Sequence, residues 1–175
     1  VTLTLSVPQR AASIATFRFI EVNLMELVAR WTPSTPEMEV KVLFGRHIWD
    51  FAQHADDLGK RTFELRLPEQ HSRRPAEAYV GLLQSAASVR QTADRLAVLY
   101  DAILPGLERR YRAYVAQTDP VLDEPSIILI QRIVADLHRQ RDEADSLRVT
   151  LGLARCDAGP FIASDHAIAS VVAAS

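Results

Sequence analysis

The sequence has one cysteine, Cys156, so no internal disulfide framework can form, and this usage fits a reducing compartment. No histidine stands near it, and "ARCDAGP" carries no nucleophile motif, which reads the thiol as inert. Long apolar runs are missing too; none approaches the roughly 18 residues of a membrane-spanning helix. The start, "VTLTLSVPQR", lacks the basic-then-apolar layout of a secretory leader, so a cytoplasmic location is expected. Neither sign of charge dominates. A net charge of −2 gives no electrostatic reason for a nucleic-acid or anionic-membrane partner, and neither is expected. Lysine is almost absent: Lys41 and Lys60 are the only two. No segment joins strand periodicity to hairpin turn chemistry, which removes β architectures.

What is present is a chain of 175 residues, 48% hydrophobic and 24% charged, long enough to bury a core without staples. Four long amphipathic stretches fill it. The first runs from about Pro8 to Trp31, with Phe17, Ile20, Leu24, Leu27, Val28 and Trp31 at three- and four-residue spacing. Ser34 and Glu37 have capping-box spacing and open the second, which carries Val40, Phe44, Ile48, Phe51, Ala55, Leu58 and Leu65 up to Pro68. The third opens near Pro75 and reaches Gln117, with a kink or break expected at Pro105 and Gly106. Its basic end, with Arg109, Arg110 and Arg112, reads as a solvated face. Asp123 can cap the fourth, whose stripe is Ile127, Ile130, Val134 and Leu137. The expected fold is all-α: an up-down four-helix bundle over residues 1–151, its third helix kinked, then a tail or short docking helix over 152–175.

Chemistry concentrates in "GRHIWDFAQHADDLGKR", Gly45 to Arg61. His47 and His54 lie seven apart, about 10.5 Å along one helix face, too far to share an ion whose ligands sit about 2 Å away. Asp50 falls between them, at i+3 from one and i−4 from the other. Glu21 sits inside the apolar stripe of the first helix, flanked by Phe17, Leu24 and Val28. A carboxylate there needs a partner, and Arg18 or Arg46 is the neutralising choice. His138 stands one turn after Val134 at the edge of the fourth stripe. Glu21, Asp50, His54 and His138 can therefore meet from three helices as a metal site, with His47 and Asp57 orienting those ligands from behind. The competing expectation is a polar seam that fixes helix register, with His–Asp pairs one turn apart satisfying each other.

The stretches "FRFIEVNLMELVARW", "LFGRHIWDFAQHADDL" and "LDEPSIILIQRIVADLHRQRDEAD" resemble the ferritin-like superfamily over Pro8 to Arg148. That resemblance implies two metals, usually iron, held by one Glu from each of two helices and a Glu-x-x-His from each of the others. Glu21 and His54 match. Phe51 stands where the Glu before His54 belongs, Asp50 is one position off, and Ala135 precedes His138 where a Glu belongs. On the third helix Asp94 and Asp101 lie beside the apolar line.

Three functions follow. One is a non-haem oxidase or oxygenase using Fe or Mn, with Phe17, Phe44, Trp49 and Phe51 beside an apolar small-molecule substrate. Another is a metal-free bundle that binds a ligand or protein near Pro105, the arginines forming a rim for an acidic partner. A third is a one-metal bundle using His54, His138 and His47. A homodimer is left open.

Overall fold

The computed structural model describes residues 4–173, which are helical with no strand among them. In chain order they form α1 (Val7–Trp31), a 3-10 turn (Thr32–Ser34), α2 (Met38–Glu64), α3 (Glu77–Ala87) and α4 (Thr92–Leu96). A π-helical segment (Ala97–Ile103), α5 (Leu104–Gln117), α6 (Glu124–Leu151) and α7 (Gly159–His166) follow. None of these helices is long and apolar enough to cross a membrane.

Local sequence explains some helix ends. At α1, Ser6 and Gln9 cap each other's backbone N–H groups, with Pro8 in the first turn. The α2 start differs from expectation: its N-cap is Glu37, with no side-chain cap. Ser34 instead donates to the Trp31 carbonyl and accepts from Arg95, whose guanidinium also takes that carbonyl at 3.0 Å. A cation from α4 thus closes the carbonyl end of α1. At the end of α6, Gly152 takes φ 63°, and the N–H groups of Gly152 and Leu153 return to Val149 and Arg148 in a Schellman motif.

The third predicted helix is corrected. It breaks at Ser88–Gln91, and the chain passes Pro105 without stopping. Proline lacks an N–H and crowds the carbonyl four residues back. Widening the preceding turns into π geometry, with the Leu104 N–H bonded to the Leu99 carbonyl, absorbs both problems. What looked like one kinked helix is two legs: α3, which packs on α1 and α7, then α4 through α5. Arg95 reaches back to the Val89 carbonyl, and the Arg110 guanidinium lies over the Tyr79 ring.

Side-chain pairs set the directions. Trp31 packs near Phe44 while Glu21 meets His54, so α1 and α2 are antiparallel. His47 meets Glu143, His54 meets Asp136 and Arg61 meets Ser126, so α2 and α6 are antiparallel. Tyr114 meets Asp123 and Glu108 meets His138, which fixes α5 against α6. Phe17 touches both Tyr111 and Tyr114, and Glu21 takes Tyr111, which closes the ring of four. The second and third long legs therefore run the same way, unlike a simple up-down-up-down order. Residues 65–91, including α3, form the crossover that makes this possible.

The crossover is pinned where it passes α2. Gln70 bonds Asp56 and Arg18 directly above Gly59, where any Cβ would run into the Gln70 amide. The main core cluster runs from Ile14 through Phe44, Phe51 and Leu58 to Leu99, Leu107 and Ile133, with a small second one of Ala97, Ala102 and Ala158. Of the aromatics expected to face a substrate, Phe17, Phe44 and Phe51 are core, whereas Trp49 is 66% exposed. The tail contributes α7, whose buried Asp165 pairs with Arg109 and Arg110 against Gly106. Two arginines expected on a solvated face are thus docking contacts; Arg112 does remain exposed.

Candidate functional site

The four expected ligands do not converge. Glu21 and His54 do meet, in the middle of the ring of long helices: His54 Nδ1 lies 3.2 Å from Glu21 Oε2. Asp50, one turn away on α2, accepts from Arg139 at 2.9 Å and Gln140 at 3.0 Å. His138 points away from the centre and pairs with Glu108 of α5 at 2.8 Å. Asp57, expected behind the ligands, pairs with Lys60 and Arg132 at the surface. His47 is fully buried but touches neither Glu21 nor His54. Neither arginine expected beside Glu21 arrives: Arg18 bonds Gln70 and Ser72, and Arg46 bonds Glu143. Among the described residues no three His, Cys, Asp or Glu side chains are grouped so as to hold a metal ion.

A continuous hydrogen-bonded chain runs instead from the buried centre out to the partly exposed α2/α6 edge and back in. Tyr111 donates to Glu21 at 2.5 Å, and Glu21 accepts from His54. The other face of His54 donates to Asp136 at 3.2 Å. Arg139 then bridges Asp136, Asp50 and Glu143. Glu143 takes the Nε2 hydrogen of His47 at 3.0 Å, and His47 Nδ1 accepts from Tyr100 at 2.7 Å. The π segment carries Tyr100, so the backbone widening forced by Pro105 also forms one end of the chain.

The partners decide each imidazole's charge. His54 faces carboxyl groups on both nitrogens, an arrangement that favours the doubly protonated, charged ring. Burial opposes that charge, but Glu21 and Asp136 outweigh it and hold its pKa above the ordinary value. His47 faces a carboxylate on one side and a hydroxyl donor on the other, a pattern met by the neutral ring protonated at Nε2. Burial pushes its pKa down, against the pull of Glu143. Asp136 and Glu143 are held below the usual carboxylate range: burial works against them, and their cationic or imidazole partners prevail. Burial, reinforced by Glu21, lifts the Tyr111 hydroxyl far above ordinary tyrosine.

These opposite shifts fix a pH dependence. The stability from charged His54 is complete below its unfolded pKa of about 6.5 and is lost as pH rises through its higher folded value. Neutral His47 contributes fully above about 6.5, and that contribution is lost as pH falls through its lower folded value. Imidazole nitrogen NMR at pH 7 is expected to show His54 protonated on both nitrogens and His47 as the Nε2–H tautomer. A neutral His54 signal at that pH would remove the charge assignment.

Sequence reading missed Arg139, Glu143, Tyr100 and Tyr111. The spacing of Asp136, Arg139 and Glu143 along one face of α6 was the available signal. Asp136 stands out of phase only with the Glu-x-x-His pattern; against His54 it is in register. The chain was also compared with known protein families, characterised proteins and solved structures, and none matches.

Proposed function

We propose that this chain is a ferritin-like bundle that works without a bound metal, as a module binding a small ligand on its surface. The connectivity supports the first part: two antiparallel pairs of long helices joined by one long crossover is the ferritin-like arrangement. The observation that carries the second is Arg139. It sits among Asp50, Asp136 and Glu143 at the partly exposed α2/α6 edge, so a side chain supplies the cation that these three carboxylates would otherwise take from solution. Both His54 nitrogens are also committed, so a metal would have to displace a proton and break a hydrogen bond to a carboxylate. The donors present do not fit an Fe or Mn centre.

Binding falls instead to the surface, where α5 and α6 leave an apolar-floored groove of about 430 Å³. That volume lies within the usual range for small-molecule sites. The test is metal content as purified and after anaerobic loading with Fe(II), Mn(II) or Zn(II), with melting temperature read beside it. The expected result is substoichiometric metal and a melting temperature indifferent to chelator. Near-stoichiometric metal that disappears in both Glu21→Ala and His54→Ala would replace this reading with the oxidase.

A further inference from the structure

We infer that the α5/α6 groove binds a medium-chain aliphatic carboxylate, its chain on the floor and its head group at the His138 end. This rests on the reading of the chain as a metal-free binding module. The floor is Val115 and Ala116 of α5 with Ala135 and the edge of Val134 of α6, over the fully buried Ile130. Gln131 is the one neutral polar side chain lining it, too little hydrogen-bonding capacity to select a sugar or a nucleobase.

Charge identifies the head group. Glu108 serves three basic side chains at once: Arg112 at 2.7 Å, His138 at 2.8 Å and Arg141 at 3.3 Å. Its carboxylate is 15% exposed, whereas Arg112, His138 and Arg141 are 60%, 46% and 38% exposed. The negative charge is tucked beneath and the basic side chains face outward, Arg112 and His138 lining the groove itself. A carboxylate arriving at that rim finds a guanidinium able to bond it while still sharing Glu108.

Size identifies the tail. Gln131 to His138 is two turns of α6, about 10 Å, which matches an extended chain of about eight carbons. A partner helix, about 10–12 Å across and several turns long, needs a longer track than that.

Calorimetric titration of the whole protein with decanoate tests this, with decanol as the uncharged control and each titration run with and without EDTA. Saturable one-site decanoate binding is expected, with decanol at least about tenfold weaker. Arg112→Gln is expected to weaken decanoate about tenfold and to leave decanol unchanged. Ala135→Trp, at an exposed groove position, is expected to abolish binding of both, with helical circular dichroism confirming that the fold persists. Absence of saturable binding overturns the inference. Binding that survives EDTA but ignores Ala135→Trp and Arg112→Gln overturns the groove assignment alone. Binding lost to EDTA and restored by metal overturns the metal-free reading and this inference with it.

Discussion

Replacing Glu21 with alanine is expected to lower the unfolding free energy by about 3–5 kcal/mol. The carboxylate is fully buried, and its two partners, His54 and Tyr111, are buried with it. The variant leaves an imidazolium with only Asp136 to neutralise it and a tyrosine hydroxyl without an acceptor. Glu21→Gln should cost less, because the amide oxygen can still accept from Tyr111 while the charge is lost. Replacing the whole group by apolar side chains, Glu21→Leu with His54→Phe and Tyr111→Phe, should recover most of the loss, since no orphan remains except on the more exposed Asp136. Urea unfolding of the three proteins checks the order. A Glu21→Ala loss near the ordinary surface value of about 0.5 kcal/mol would mean that the centre is hydrated and the buried pair is not formed.

Asp123→Ala should be comparably damaging, again about 3–5 kcal/mol. Asp123 is fully buried at the start of α6, where the sequence suggested a helix cap. Its carboxylate caps no backbone group. It accepts from Tyr114 at 2.5 Å, Thr118 at 2.7 Å, Ser126 at 2.6 Å and Arg61 at 3.0 Å, tying α2, α5 and α6 together at one end. Burial disfavours its charge, yet these four donors hold its pKa below the ordinary carboxylate value. The sign follows: its contribution is present above the unfolded value of about 3.9 and is lost as pH falls through the lower folded value. Melting temperatures between neutral and acid pH should therefore fall steeply in wild type and less steeply in Asp123→Asn. Parallel slopes in the two proteins would assign the acid sensitivity elsewhere.

The legible part of the fold is the part that periodicity controls. Phe17 to Trp31 and Val40 to Leu58 name their own buried faces, because an apolar stripe at helical spacing has one way to leave water. The misread places each involve a competitor that local pattern does not weigh. Pro105 signals a break, but a π segment seven residues long accommodates it. Ser34 has the spacing of a cap, but Arg95, sixty-one residues later, claims its hydroxyl. At the site, Glu21 with His54 was legible because both are polar residues on apolar stripes of adjacent helices. His138 was misplaced because one turn after Val134 sits at the stripe's edge, where a small rotation decides between the centre and the α5 side.

By itself the sequence determined that the chain is predominantly helical, which faces the first two long helices bury, and that Glu21 needs a partner. These follow from backbone hydrogen bonding and from desolvation of the residue itself. Tertiary structure alone decided who the partners are. Asp136 reaches His54 across 82 residues and Glu143 reaches His47 across 96, and those meetings depend on the axial register of α2 against α6. A shift of one residue turns a helix position by about 100° and moves it 1.5 Å. Many weak contacts spread over the whole core fix that register. The same shift decides whether Arg139 enters the carboxylate cluster, and with it whether the α2/α6 edge carries its own cation.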